Sequence, residues 1–190
     1  VRTGVLVDAA GFPKAVIVAS NNLDEHIISS LKAEGAAIGV WGVGTRLATA
    51  YDEPAMGGVY KLSAVRKPGR PWQYKIKLSE QAVKVSSPGI QQVRRFERGG
   101  EYSGDVIFDE SSPPRGETVM VDPLDPTRRK RFAADAQHTD LLVPFLRSGK
   151  LVSPPPPISE ARQRAKDQLA RFHGGVKRFM NPHQYPVGLE

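Results

Sequence analysis

The chain has 190 residues, of which 39% are hydrophobic, and a formal net charge of +7. This length allows one ordinary domain or two small ones. The chain contains no cysteine, which excludes disulfides, thiolate metal sites and thiol nucleophiles. No apolar stretch approaches the roughly 18–20 residues of a membrane-spanning helix, and the N-terminus lacks the layout of a signal peptide. We therefore expect a cytoplasmic protein with no membrane partner.

The positive charge is unevenly distributed along the chain. Residues 1–60 carry four Lys and Arg against six Asp and Glu, whereas residues 61–190 carry 23 against 14. A basic region of this kind is compatible with a nucleic-acid-binding module. Basic residues nevertheless alternate with acidic ones, and no recognised binding motif is present. A solvated surface, or one that serves phosphate-rich small substrates, is therefore favoured, and we expect no nucleic-acid partner.

The first part of the chain, residues 1–58, has the pattern of a parallel α/β fold. Residues 15–20 are mostly apolar and β-branched, which predicts a strand buried on both faces. Asn22 is suited to cap the following helix, and Glu25 completes a capping-box pattern. Residues 37–42 predict a second strand. Strand, helix and strand joined by short connections are typical of a parallel sheet or barrel.

Two features suggest that this polypeptide is a piece of something longer. Residues 1–12 have the pattern of the end of a helix that stops at Gly11, so the chain opens within an element. The predicted strands also account for only about two of the eight in a complete α/β barrel, which needs roughly 250 residues. We therefore interpret residues 1–58 as the last βα units of such a barrel.

From residue 59 to residue 153 the pattern changes to a β-rich extension. Short strand-like runs divided by Gly, Pro and Ser clusters predict an antiparallel region. These runs are Val59–Val65, Trp72–Leu78, Gln92–Phe96, Val106–Phe108 and Thr118–Val121, with a further strand over residues 140–146. In the last part, residues 154–190, four prolines form a stiff spacer. The spacer precedes a predicted helix over about residues 159–173, capped by Ser159.

The candidate site consists of the two turns that follow the predicted strands. The first turn is Ser20-Asn21-Asn22, and the second is Gly42-Val43-Gly44-Thr45. A strand, a tight turn and a helix start direct backbone N–H groups at an anion, which is how α/β barrels bind phosphate. Glycines at 42 and 44 allow close approach of an anion, and Thr45 can donate from its N–H and its hydroxyl. The alternative is a plain turn with Thr45 and Asn22 as helix caps.

Four ordered motifs resemble those of bacterial nicotinate phosphoribosyltransferases. They are Ala19–Glu25, Gly42–Leu47 followed by Tyr51–Leu62, Met120–Arg129 and Asn181–Leu189. The resemblance runs along the whole chain and identifies it as a C-terminal fragment of such a protein. It implies the type II phosphoribosyltransferase fold, an irregular α/β barrel, followed here by the β-rich extension and the C-terminal helix.

The resemblance also implies an activity for the complete enzyme. Nicotinate reacts with phosphoribosyl pyrophosphate to give nicotinate mononucleotide and pyrophosphate, with coupled ATP hydrolysis, as the first step of NAD salvage. Mg²⁺ is expected as a cofactor bound to ATP and phosphoribosyl pyrophosphate, and a homodimer is the expected assembly. Two alternatives remain open: a type II enzyme that acts on nicotinamide or quinolinate, and a basic nucleic-acid-binding module.

The same resemblance suggests roles for the two turns. It places the 5′-phosphate of the ribosyl substrate at Gly42, Val43, Gly44 and Thr45, and the phosphate and ribose pocket at Ser20, Asn21 and Asn22. The family's phosphorylatable catalytic histidine and the residues that bind nicotinate and pyrophosphate lie upstream of residue 1. None of the four histidines of this chain lies in a sequence context that matches the catalytic histidine of the family (His26, His138, His173 and His183). We therefore predict no catalytic residue here, and expect the chain alone to be inactive.

The remaining charged residues have simpler interpretations. Asp24 and Glu25 are interpreted as acids that favour the helix dipole. Arg46 is interpreted as a solvated first-turn residue, with added charge at the phosphate turn as the less favoured alternative. The cations Arg128–Arg131 indicate a solvated face, with binding of ATP phosphates as a minority hypothesis. His183 is interpreted as a packing or hydrogen-bonding residue. Because the four histidines show no ligand spacing, we predict no protein-bound transition metal.

Overall fold

The computed structural model describes residues 2–55, 58–80 and 85–190, which leaves Met56 and Gly57 of the Tyr51–Leu62 motif outside the described part. The chain divides into two compact units. The first contains Val1–Val59 and Phe179–Asn181, and the second contains Tyr60–Arg178 and Pro182–Glu190. No helix in the described part has both the length and the apolar character needed to cross a membrane.

The first unit is built on a parallel strand–helix–strand arrangement. Its elements are α1 (Arg2–Ala9), β1 (Val18–Ser20), α2 (Glu25–Ala33), β2 (Val40–Gly42) and α3 (Thr45–Ala48). Strands β1 and β2 run parallel, with Val18 paired to Val40 and Ser20 paired to Gly42. Because α2 supplies the crossover, the carboxyl ends of both strands lie side by side. This is the parallel α/β arrangement that the sequence predicts.

Strand β1 is shorter and more exposed than the sequence predicts. Of residues 15–20, Val18–Ser20 form the strand, and Val18 is 62% exposed. Val40 on the neighbouring strand is 48% exposed. The prediction of burial on both faces is wrong here, because within the described residues this sheet has two strands and leaves these side chains uncovered.

The second unit is built mainly of β-strands. Its elements are β3 (Ala64–Val65), β4 (Gln73–Tyr74), β5 (Gln91–Arg98), β6 (Glu101–Asp109), β7 (Thr118–Val121), β8 (Arg129–Phe132), β9 (His138–Asp140), β10 (Leu146–Arg147), β11 (Lys150–Leu151), α4 (Ile158–Ala170) and β12 (Val187–Leu189). Six of these strands form a mixed sheet in the order β8-β7-β12-β6-β5-β9. Its longest pair, β5 and β6, is joined by Gly99 and Gly100, whose φ values of 60° and 84° suit a tight hairpin turn.

One face of this sheet carries the hydrophobic core. Its buried side chains are Phe96, Val106, Met120 and Phe132, which come from four different strands. The rings of Phe96 and Phe132 stack with their centroids 4.0 Å apart. Alternate residues of a strand point to opposite faces, and each of these four strands contributes one buried side chain to the core.

Several elements differ from the sequence prediction. Of the runs predicted over Val59–Val65 and Trp72–Leu78, only Ala64–Val65 and Gln73–Tyr74 form strands. The sequence pattern does not predict strands β8 and β12, because β8 begins with consecutive cations and β12 lies in the segment interpreted as a C-terminal tail. Helix α4 begins at Ile158 after an N-cap at Pro157 that makes no side-chain hydrogen bond. The predicted cap at Ser159 is therefore wrong, since that residue already lies in the first turn.

Strand β12 is held in the sheet by a buried polar contact. The hydroxyl of Tyr185, just before β12, donates to Asp105 Oδ1 at 2.8 Å. Arg95 binds the same carboxylate through two nitrogens at 2.7 and 2.9 Å. Burial and the neighbouring Asp105 carboxylate raise the pKa of Tyr185, so its hydroxyl stays protonated and available as a donor. The segment before β12 is thereby fixed against β6.

A glycine permits the close approach of β12 to β7. A Cβ at Gly188 would meet the carbonyl oxygen of Val121 and lie 2.7 Å from Met120 Cγ. We expect Gly188→Ala to lower the free energy of unfolding of the second unit by about 1–3 kcal/mol, the usual cost of overpacking. Urea unfolding followed by circular dichroism measures this change.

Gly174→Ala is the matched control for this prediction. A Cβ at Gly174 would have no neighbour within 4 Å. The free energy of unfolding of this variant is therefore expected to lie within about 0.5 kcal/mol of the wild-type value. Equal stability of the two variants would contradict the close packing of β12 against β7.

Candidate functional site

The two predicted turns lie next to each other at the carboxyl ends of β1 and β2. Together they line a cavity of about 220 Å³. Its lining residues are Asn21, Asn22, Leu23, Gly42, Gly44, Thr45 and Arg46. Two predicted residues, Ser20 and Val43, do not line the cavity, although Ser20 pairs with Gly42 in the sheet. The structure therefore brings together five of the seven predicted site residues, and adds Leu23 and Arg46.

The first turn has an unusual backbone conformation. Asn21 and Asn22 have φ values of 82° and 48°, in the left-handed region where Asn is among the few tolerated non-glycine residues. The next residue, Leu23, is buried at 6% exposure and anchors the turn. The asparagines themselves are exposed, so their amide groups are available at the cavity.

Helix α2 is capped by Asp24, and the prediction of Asn22 as the cap is wrong. Asp24 has the extended backbone that an N-cap requires, with φ −140° and ψ 178°. Its Oδ1 accepts a hydrogen bond from the backbone N–H of Ile27 at 2.8 Å. Asn22 lies two residues too early and in the left-handed conformation, so Glu25 becomes the first helical residue and completes no capping box.

The same carboxylate holds Arg46 beside the cavity. Asp24 Oδ2 lies 2.7 Å from Arg46 Nη1, and Asp24 is 6% exposed. The guanidinium carbon of Arg46 also lies 4.7 Å from the centroid of the Tyr51 ring. The interpretation of Arg46 as a solvated residue is therefore wrong. No local sequence pattern predicts this pair, because its members are 22 positions apart on different turns.

The second turn provides space and backbone donors. Gly44 is the N-cap of α3 and makes no side-chain cap hydrogen bond. The predicted alternative of Thr45 as the cap is therefore wrong, since Thr45 is the first residue of α3. A Cβ at Gly42 would lie 3.1 Å from Ser20 Cβ, whereas one at Gly44 would have no neighbour within 4 Å. Gly42 thus permits the close packing of the two strands. Gly44 leaves open space beside the first backbone N–H groups of α3, which have no hydrogen-bond acceptor within the helix.

Other titratable groups meet outside the cavity. Glu25, His26 and Asp52 place one potential ligand atom each within 4.8 Å of the others, and all three are exposed. Exposed groups of this kind commonly meet without an ion, so we assign no metal to them. The rings of His173 and His183 lie parallel with centroids 6.4 Å apart, a contact that the sequence spacing did not predict.

The double role of Asp24 leads to a stability prediction. Asp24→Ala removes both the helix cap and the partner of Arg46, and we expect it to lower the free energy of unfolding by about 1–3 kcal/mol. Asp24→Asn keeps a capping acceptor but removes the charge, so its loss should be smaller. Urea unfolding of both variants checks this order. The matched control is Glu25→Ala at the adjacent exposed acid, and a loss there as large as in Asp24→Ala would contradict the assignment.

Comparisons with known proteins agree with the architecture of the second unit. Residues 91–190 match the family model for the nicotinate phosphoribosyltransferase C-terminal domain. This match covers more than half of the 190 residues.

Individual relatives extend the similarity to nearly the whole chain. Nicotinate phosphoribosyltransferase from Bacillus subtilis is 39% identical over 188 residues, covering 97% of this chain and 38% of the relative. The human protein of the same name is 34% identical over 177 residues, covering 92% and 32%. The chain therefore spans about a third to two-fifths of the length of these relatives.

A solved structure gives the same result. The crystal structure of human nicotinic acid phosphoribosyltransferase superimposes with a TM-score of 0.59 at 28% sequence identity, covering 100% of this chain and 34% of that one. With the family model and the similarity in sequence, this shows that the chain belongs to the nicotinate phosphoribosyltransferase family, and that residues 91–190 correspond to the C-terminal domain of that family.

Proposed function

We propose that this chain forms the 5′-phosphate-binding part of an enzyme that converts nicotinate and phosphoribosyl pyrophosphate to nicotinate mononucleotide and pyrophosphate. One observation carries the proposal. This chain belongs to the family, and its turns after β1 and β2 line one cavity together with Arg46. The catalytic histidine and the base-binding residues are assigned to other parts of the enzyme, so the chain alone is inactive.

The cavity offers three kinds of donor to a phosphate. Asn21 and Asn22 contribute side-chain amides, and the start of α3 contributes backbone N–H groups. Arg46 contributes a guanidinium, whose several N–H donors suit phosphate oxygens. Its ion pair with Asp24 engages Nη1, which fixes the side chain and leaves further donors on the same group. A phosphate bound here is held by charge and by hydrogen bonds together.

The contribution of this site to the reaction is positioning. As pyrophosphate leaves, positive charge builds on the ribose in an oxocarbenium-like transition state. The 5′-phosphate lies at the far end of the sugar, so groups that hold it fix the orientation of C1 without taking part in bond breaking. The described residues of the cavity therefore bind and orient the substrate, and no proton transfer is assigned to them.

The proposal includes the remaining substrates and the assembly of the enzyme. ATP hydrolysis is coupled to turnover, Mg²⁺ accompanies ATP and phosphoribosyl pyrophosphate, and the enzyme is a cytoplasmic homodimer. The lining of the cavity contains no carboxylate among the described residues. Since Mg²⁺ prefers oxygen ligands, chiefly carboxylates, phosphates and water, the lining does not fit a resident Mg²⁺ site. The ion is therefore assigned to the phosphate groups of the substrates.

Gly44→Glu tests the phosphate site in the intact enzyme. The new carboxylate enters open space beside the cavity and repels the 5′-phosphate, so the KM for phosphoribosyl pyrophosphate should rise by at least about tenfold. Formation of nicotinate mononucleotide from nicotinate, phosphoribosyl pyrophosphate and Mg·ATP measures the effect.

Two variants control for damage to the fold. Gly44→Ala adds only a methyl group in open space, and Gly174→Glu adds the same charge at another open position. Both should keep a KM near that of the wild type. Unchanged activity in Gly44→Glu would be compatible with the proposed enzyme activity but would contradict the proposed 5′-phosphate site. Turnover with another pyridine base but none with nicotinate would contradict the proposed substrate.

Replacing Arg46 tests the guanidinium directly. Arg46→Gln should raise the KM for phosphoribosyl pyrophosphate by about tenfold or more, because a charge-assisted hydrogen bond contributes about 1.5–3 kcal/mol. Arg46→Lys keeps the charge and should restore part of the affinity. The matched control is Arg66→Gln, which removes an arginine that lies 4.7 Å over the Trp72 ring in the second unit. Equal effects of Arg46→Gln and Arg66→Gln would argue against a specific role.

A further inference from the structure

A second cavity, of about 230 Å³, lies within the second unit. It has three walls. They are Met120 and Asp122 at the end of β7, Arg128–Lys130 at the start of β8, and Gln184–Val187 just before β12. The proposed function makes no use of this cavity, and the interpretation of Arg128–Arg131 as a plain solvated face does not account for it.

The cavity opens where two neighbouring strands diverge. Strand β12 pairs with β7 at a single position, Leu189 with Val121. On its other side, β12 pairs with β6 along its whole length, from Val187 to Leu189. The segment before β12 therefore follows β6, where Tyr185 is tied to Asp105, and leaves a gap toward β7. The gap therefore follows from the pairing of the strands.

The lining of this cavity has an excess of positive charge. Three cations face one carboxylate, Asp122. That carboxylate is already engaged, because its Oδ1 accepts from the backbone N–H of Leu124 at 2.9 Å and its Oδ2 lies 3.5 Å from Arg128 Nη1. Arg128 also donates to Gln184 Oε1 at 3.1 Å, which links two walls of the cavity. Because the lining has three cations and one carboxylate, the cavity carries a net positive charge that favours the binding of an anion.

Lys130 is the most deeply placed of the three cations. It is half-buried, and its ammonium donates to the carbonyl oxygen of Ser103, a neutral acceptor. Burial and, to a smaller extent, the charge of Arg98 lower the pKa of Lys130. An ammonium held in this way gains from an anion nearby, and it carries three donors, so a second hydrogen bond is available.

Three residues of the lining are less polar than the cations. Met120 is buried at 5% exposure, and Tyr185 and Pro186 are half-buried. The hydroxyl of Tyr185 is engaged by Asp105, so it does not compete for a ligand. Binding sites for small molecules typically combine such apolar walls with a few placed charges. The combination suits a ligand with an anionic end and a less polar body.

We propose that this cavity binds a small phosphate monoester. Lys130 and Arg128 hold the phosphate, since lysine acts as a point charge and arginine as a planar fork toward phosphate oxygens. The organic part of the ligand lies against Met120, Tyr185 and Pro186. The proposal does not rest on the proposed function, because it concerns binding in the second unit and requires no turnover.

Ribose 5-phosphate is the probe, and isothermal titration calorimetry at constant ionic strength is the measurement. The protein carries Gly44→Glu, so that binding of phosphate at the first cavity is weakened and the substitutions in the second cavity dominate the differences between variants. We expect binding of ribose 5-phosphate and none of ribose. Lys130→Gln, introduced into the Gly44→Glu protein, should weaken the binding of ribose 5-phosphate by about tenfold or more, because one charge-assisted hydrogen bond is lost.

Two further variants make the result specific. Arg131→Gln removes the next cation on β8, which pairs with Glu117 and does not line the cavity, so binding should persist. Arg128→Gln removes an exposed side chain and should weaken binding as Lys130→Gln does. Absence of phosphate-dependent binding overturns the proposal. So does an equal loss in Arg131→Gln, or unchanged binding in both Lys130→Gln and Arg128→Gln.

Discussion

The parallel pairing of β1 and β2 is the constraint on which the first candidate site depends. The register that pairs Ser20 with Gly42 places the two following turns side by side. A shift of one residue would turn each side chain to the opposite face and separate the turns from the shared cavity. Gly42 allows this register, because a Cβ there would lie 3.1 Å from Ser20 Cβ. The residues that line the cavity are therefore brought together by the backbone pairing of the two strands.

Asp24 converts that geometry into a charged site. One carboxylate oxygen caps α2 and the other binds Arg46, so one buried group fixes a helix start and a cation together. Burying a carboxylate is costly unless it is paired and hydrogen-bonded, and Asp24 meets both conditions. A guanidinium held in this way loses less conformational freedom when an anion binds than a free surface arginine does. The cap of α2 and the position of the Arg46 guanidinium therefore depend on the same side chain.

The sequence predicted local structure well where a short-range rule applies. The strand–helix–strand order and the two glycine- and asparagine-rich turns follow from patterns within a few residues. The cap was misplaced by two positions, because the left-handed conformation of Asn22 cannot be read from its residue type. The pair of Asp24 with Arg46 and the strand pairing of β12 with β6 depend on contacts between distant segments. No periodicity in a single sequence encodes such contacts.

The basic composition of the second unit illustrates the same limit. Arg94, Arg95, Arg131 and Arg171 each pair with a carboxylate, so part of the positive charge is structural. Lys130 differs, because its ammonium donates to a backbone carbonyl within a cavity whose single carboxylate is already engaged. Net charge counts both kinds of cation equally. The distinction between a structural arginine and a ligand-binding lysine arises from their partners, which the tertiary structure alone determines.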